Sequence, residues 1–127
     1  MRKKKQSLIF ICIITALLLI SCSDKNPFTG KWQCVDYAML MGAENEEPKW
    51  YRQNDEFTQN FSLTLKQDET VVVSSFGNEN EGKYNVKDDT LYIQIKGSES
   101  VYVLHDDYLV LINNPRAKIV YKKENEE

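Results

Sequence analysis

The sequence predicts an all-β domain in which eight antiparallel strands form an up-and-down meander that closes into a small barrel. After the first 22 residues, apolar and polar residues alternate with period two, which is typical of half-buried strands. Turn-forming residues recur every ~8–12 residues, and no helical period is present. Short turns make successive strands antiparallel neighbours, and closure hides the edges of the sheet.

Residues 1–21 have the pattern of a removable export signal. A basic segment, Met1 to Lys5, precedes the apolar run Leu8 to Ile20. This run is shorter than the ~20 apolar residues that a membrane span needs. It leads into Leu19-Ile20-Ser21-Cys22, which resembles the lipobox of bacterial lipoproteins. The alternative is that Cys22 is only a small residue beside an ordinary cleavage site.

The lipobox resemblance implies that Cys22 becomes the first residue of the mature protein and carries fatty acyl chains. Several chains are needed for stable anchoring, because each buried CH₂ adds ~0.8 kcal/mol and a single chain holds only weakly. We therefore expect a lipoprotein of the bacterial cell envelope, periplasmic or surface-exposed, with the outer membrane as its expected membrane. The protein would bind the membrane through the acyl chains on Cys22 and not through charged side chains.

Loss of the signal makes the protein acidic. The signal contains Arg2, Lys3, Lys4 and Lys5, so the 16 basic residues fall to 12 against 19 acidic residues, a formal charge of −7. Because nucleic acid phosphates are bound mainly by Lys and Arg, we expect no nucleic acid partner. Cys34 is then the lone cysteine of the folded domain, and it is expected to be a small buried hydrophobe.

The folded domain is expected at 30–122, between a lipidated tether at 22–29 and a charged tail at 123–127. In the first strand, 30–41, Trp32 and Cys34 share one face with Asp36, while Tyr37 falls on the other. This alternation is imperfect, which favours a bend in the strand. Seven further strands are predicted from alternation between turn signals, at 57–66, 70–76, 83–87, 90–96, 100–105, 108–113 and 117–122.

The connection at 42–56 is the longest irregular segment. Loops of this length in small domains are usually functional or disordered. Its first half is acidic, whereas its second half contains Trp50 and Tyr51, large aromatic residues that favour shielding from solvent. They either form the rim of a pocket mouth, or pack into the core, or begin the next strand early.

Gly30-Lys31-Trp32, followed by ordered hairpins at 65–73, 82–91 and 103–111, resembles the start of lipocalin-like proteins. The resemblance implies that Gly30 and Trp32 close one end of the barrel, with Trp32 near a basic residue of the last strand, here Arg116. A binding site would then lie at the opposite end. Glu69 replaces a glycine common in the family's turn, so a positive φ is less expected there.

The sequence contains none of the motifs Gly-x-Ser-x-Gly, His-Glu-x-x-His, Cys-x-x-Cys or the P-loop. A single histidine, His105, precedes Asp106 and Asp107 in a turn, which is too little for a histidine-rich zinc site. We expect no catalytic residue, metal or cofactor. Two functions remain: a barrel that binds a small apolar ligand, with Trp50 and Tyr51 at its rim, or a filled barrel that binds another envelope protein. An enzyme using His105 with carboxylates ranks third.

Overall fold

The computed structural model describes residues 26–124, so the signal peptide, Cys22 and tail residues 125–127 lie outside the described residues. The described chain has nine strands and one helical turn. They are β1 (Gly30–Met41), β2 (Lys49–Arg52), α1 (Asp55–Thr58), β3 (Phe61–Leu65), β4 (Thr70–Ser75), β5 (Asn78–Lys87), β6 (Thr90–Ile95), β7 (Ser98–His105), β8 (Tyr108–Leu111) and β9 (Ala117–Lys123).

The predicted eight-stranded antiparallel barrel is confirmed. Strands β3 to β9 follow one another as antiparallel neighbours, and β3 also pairs with β1. The barrel closes because β9 pairs with β1, from Ala117 opposite Met39 to Lys123 opposite Trp32. Strand β2 is additional: it forms a hairpin with residues 38–41 of β1 and has no second strand partner within the described chain.

Two segments differ most from the prediction. Phe57 was expected to begin a strand, but it lies in α1, because the Asn54 side chain accepts a hydrogen bond from the Phe57 N–H and caps a helical turn. Residues 78–82, which were expected to connect the strands at 70–76 and 83–87, are instead the first half of β5. A tight turn makes this possible: Phe76 and Gly77 have φ angles of 50° and 83°, as a type I′ hairpin requires.

The expectation for Glu69 is wrong, because its φ is 70°. The turn is held by its neighbour: the Asp68 carboxylate accepts hydrogen bonds from the backbone N–H of Thr70, at 3.1 Å, and from the Thr70 hydroxyl. These bonds hold the pKa of Asp68 below its usual range. The hydrogen bonds of the Asp68 side chain therefore stabilise a positive φ at Glu69, a conformation that glycine adopts most readily.

A bulge explains the broken alternation of β1. Val120 lies opposite Asp36 and Tyr121 lies opposite Cys34, so Val35 is an extra residue in β1. Beyond the bulge the faces exchange. Tyr37, expected to point away from Cys34, packs with the core, whereas Asp36 pairs on the outside with Arg52.

Side chains fill the barrel. Aromatic and branched residues from all eight barrel strands point inward, which leaves little empty space along the axis. The buried cluster consists of Phe28, Trp32, Cys34, Leu63, Leu65, Val71, Tyr84, Leu91, Ile93, Tyr102, Leu109 and Tyr121. Among the described residues, no helix is long and apolar enough to cross a membrane.

Candidate binding site at the open end of the barrel

One end of the barrel, here called the closed end, is sealed by Trp32. Its side chain is buried, and its indole Nε1–H donates a 2.9 Å hydrogen bond to the carbonyl oxygen of Phe28. Phe28 itself has 0% of its surface exposed. Residues 26–29, here called the strap, therefore pack onto the barrel. The folded domain begins before the expected boundary at residue 30.

The cation beside Trp32 is Lys123, which corrects the expected contact with Arg116. Lys123 Nζ lies 5.8 Å from the centroid of the indole and donates a 2.8 Å hydrogen bond to the carbonyl oxygen of Pro27. Arg116 lies at the other end of β1, where its guanidinium donates to the carbonyl oxygen of Leu40. The reason is the register, which places Lys123 opposite Trp32.

At the opposite end, here called the open end, β1 divides its pairing. Its residues 30–33 pair with β3 and its residues 38–41 pair with β2, so the ladder is interrupted between them. Helix α1 fills this gap. The Gln33 side chain fastens it by donating to the carbonyl oxygens of Thr58, at 3.0 Å, and Phe61, at 2.9 Å.

Four aromatic rings, here called the aromatic cluster, continue from this gap to the surface. Tyr37 and Phe61 meet inside the barrel, with ring centroids 5.0 Å apart. Phe57 of α1 packs on both, and Phe76 packs edge-on against Phe57 and Phe61 at 5.3 Å and 5.2 Å. Phe76 remains 52% exposed, so the outer end of the cluster is open to solvent.

Two surface grooves lie at the open end, and the first borders the aromatic cluster. One has a volume of about 300 Å³ and is lined by Asn54, Glu56, Phe57, Asn60 and Phe76. The other, of about 260 Å³, lies under the β1–β2 hairpin and is lined by Met41, Gly42, Glu46, Glu47, Lys49 and Tyr51. Exposed aromatic or long apolar side chains border both grooves, while amide and carboxylate groups form their margins.

The interior offers less room. A cavity of about 120 Å³ opens at the same end and is lined by Leu63, Val73, Ile93, Ile95, Ser98, Ser100 and Tyr102. Sites for drug-sized ligands usually measure ~300–1,000 Å³. A fatty acid, a sterol or haem therefore does not fit in the lumen of this conformation.

Trp50 and Tyr51 are both exposed, at 41% and 48%, so neither packs into the core and both belong to the separate strand β2. Because neighbours in a strand point to opposite faces, they do not share one site. Tyr51 borders the hairpin groove with Met41. Trp50 is on the outer face, where the Lys118 ammonium lies 4.5 Å from its ring centroid.

Several titratable side chains lie in the interior of the barrel. Burial raises the pKa of Cys34 to about 11, so its thiol is protonated at neutral pH. Burial also raises the pKa values of Tyr102 and Tyr121, whose rings pack edge-on at 5.8 Å. His105 is the exposed last residue of β7, with its Nε2 3.8 Å from an Asp106 oxygen. Among the described residues, no three His, Cys, Asp or Glu side chains gather to hold a metal ion.

The open end is acidic around its apolar surface. Carboxylates cluster in the segment that connects β1 to β3, at Glu44, Glu46, Glu47, Asp55 and Glu56. Lys49 and Arg52 lie in the same segment, but Arg52 is paired with Asp36 at 3.1 Å. A ligand or partner of this end would meet apolar rings bordered by negative charge.

The sequence contained signals for this site that its strand pattern obscured. Asn54, followed by two acidic residues and Phe57, is the usual start of a helix. Phe76-Gly77 has the glycine of a two-residue hairpin. Nothing in the order of residues along the chain indicated that Phe57 and Phe76 are in contact, because this contact depends on how β1 and β3 separate.

Comparisons with known proteins support the fold and do not assign a family. No protein-family model matches the chain, and a search of curated proteins finds no match. The chain is similar in structure to a crystal structure of a DUF4847 family protein from Bacteroides vulgatus, with a TM-score of 0.50. The two sequences are 18% identical over 78% of this chain and 95% of that one. At this identity the likeness shows the fold alone.

Proposed function

We propose that the protein is a non-enzymatic lipoprotein of the bacterial cell envelope, anchored by acyl chains on Cys22, whose open end binds another envelope protein. The binding proposal rests on the difference between the filled interior of the barrel and the exposed apolar side chains at its open end. The lumen is filled apart from about 120 Å³, whereas Met41, Tyr51, Phe76 and Ile112 all expose large apolar surfaces at the open end. Several exposed large apolar side chains at one end of a folded domain are typical of an interaction surface.

The surroundings of these side chains define the chemistry of the partner. The aromatic cluster and the hairpin groove would take apolar side chains, and the carboxylates at 44–47 and 55–56 would pair with cationic ones. The partner surface is therefore basic and apolar together. The acidic rim would increase the association rate and make it dependent on salt, while the desolvated rings would supply most of the affinity.

A small ligand is the second candidate, and the cavity at the open end favours it. Two hydroxyl-bearing serines, Ser98 and Ser100, and the phenol of Tyr102 face an otherwise apolar lining. A compact apolar molecule with one polar group fits this volume. Titration with compact apolar molecules that carry one polar group, such as small phenols and short-chain alcohols, separates the candidates: a change in tryptophan fluorescence would favour the ligand, and no change would favour the protein partner.

The partner proposal is tested by affinity capture from solubilised envelopes with two turn variants. Phe76→Asn removes the exposed ring, while Lys96→Asn changes the corresponding position of another tight turn outside both grooves. We expect the first variant to lose a co-purifying protein that the wild type and the second variant retain. Equal recovery with all three proteins would contradict the proposal. For the anchor, Cys22→Ala should move the protein from the membrane to the soluble fraction.

A further inference from the structure

We propose that the strap holds the closed end of the barrel against the membrane, so that the open end points away from the lipid surface. This inference rests on the proposed lipid anchor at Cys22 and adds an orientation to it. A long flexible linker after the lipid would leave the barrel free to turn in any direction. The strap removes that freedom because it is bound to the barrel itself.

Contacts from three strands hold the strap. Trp32 of β1 donates to the carbonyl oxygen of Phe28, and Lys123 of β9 donates to that of Pro27. On β5, the Tyr84 hydroxyl accepts a 3.5 Å hydrogen bond from the Asn26 side chain. Phe28 is fully buried beneath these contacts. The chain therefore leaves the barrel at a fixed point on its closed end.

The distance to the lipid is limited by covalent geometry. Asn26 follows Cys22 by four residues in the sequence. A fully extended chain covers at most ~3.6 Å per residue, so Asn26 lies within about 14 Å of the lipidated cysteine. Strand β5 has 10 residues. Such a strand spans about 33 Å, and a typical barrel tilt of about 40° separates the two ends by about 25 Å.

The charge of the closed end does not bind it to lipid. Three hairpin turns at this end each carry a pair of exposed carboxylates, and these residues are Asp68, Glu69, Asp88, Asp89, Asp106 and Asp107. Lys66, Lys83 and Lys87 are exposed beside these turns, so the two signs of charge are mixed. Such a surface has no basic cluster that would bind anionic headgroups. The orientation therefore depends on the strap, which limits how far the closed end can retreat from the lipid.

The test measures the depth of two labels in the acylated protein reconstituted into phosphatidylcholine vesicles that contain headgroup-quenching lipid. Asp107→Cys places a fluorophore at the closed end, and Glu79→Cys places one near the open end. Native Cys34 is buried and should not take up the label. We expect the Asp107 label to lose about half or more of its fluorescence and the Glu79 label almost none, given the ~25 Å between the ends. Equal quenching, or stronger quenching at Glu79, would overturn the orientation.

Two controls separate the orientation from the anchor. Co-sedimentation with vesicles reports anchoring alone: protein that does not sediment contradicts the lipid anchor, whereas protein that sediments with neither label quenched contradicts only the orientation. Lys123→Gln removes one strap contact without opening the core, and it should reduce the difference between the labels. If Lys123→Gln leaves that difference unchanged, the strap does not set the orientation.

Discussion

The Lys123 ammonium lies over the indole of Trp32 and binds the carbonyl oxygen of Pro27, so one side chain of the last strand joins the first strand to the strap. The closed end is therefore held by residues from both ends of the folded chain. At the open end, apolar side chains are exposed to solvent and border two grooves. Helix α1 fills the gap in the pairing of β1 at this end. The two ends have different physical roles.

Trp32→Ala should strongly destabilise the fold. The variant would leave a large cavity at a buried site and an unpaired carbonyl at Phe28, at an expected cost of ~3–5 kcal/mol in the free energy of unfolding. Trp50→Ala is the matched control, since Trp50 is exposed and should lose only ~0.5–1 kcal/mol with its cation–π contact. Urea unfolding followed by circular dichroism measures both. Similar losses for the two variants would mean that Trp32 does not seal the barrel.

Lys123→Gln should loosen the strap, whereas Arg116→Gln should not. The substitution replaces the Lys123 ammonium by a shorter, neutral amide and so weakens the bond to the Pro27 carbonyl, and we expect a loss of ~0.5–1.5 kcal/mol in strap stability. Hydrogen exchange at the Thr29 N–H, which is bonded to the Asn26 carbonyl at 3.2 Å, reports this directly. Faster exchange in Arg116→Gln than in Lys123→Gln would restore Arg116 as the partner of Trp32.

Phe76→Asn should preserve the fold while removing the proposed contact. Asparagine should stabilise the turn by ~1 kcal/mol, because it tolerates a positive φ. Loss of the two aromatic contacts of Phe76 should cost ~0.5–1.5 kcal/mol each. The free energy of unfolding should therefore fall by at most ~2 kcal/mol. Lys96→Asn, at a φ of 52° and without such contacts, should gain ~0.5–1 kcal/mol. Unfolding of Phe76→Asn at room temperature would show that the ring is needed for stability.

The fold should lose stability in alkali. Burial raises the pKa of Cys34 from 9.0 to about 11, and it raises those of Tyr102 and Tyr121 above their usual 10.0. Because the folded state holds these protons more tightly, their contribution is complete below pH ~9 and is lost as pH rises through the folded pKa values. Absorbance of tyrosinate should show Tyr102 and Tyr121 titrating only as the barrel unfolds. Complete tyrosine titration by pH ~11 with the fold intact would contradict their burial.

The strands were predictable because period-two alternation is a local property of the chain. The same alternation failed at Phe57, where the Asn54 cap favoured a helical turn over a strand, and at Tyr37, which the Val35 bulge moved to the inner face. The choice of Lys123 over Arg116 beside Trp32 depends on the register of β9 against β1, which no single segment contains. The aromatic cluster is likewise a tertiary feature.

Site-specific photocrosslinking in living cells tests for a protein-binding site at the open end. A photoreactive amino acid would replace Phe76 at the open end or Tyr108 at the closed end, both of which are exposed aromatic positions. Illumination should join the protein to another envelope protein from position 76, and that product should be absent from position 108. A product at position 108 alone, or no product at either position, would contradict a protein-binding site at the open end.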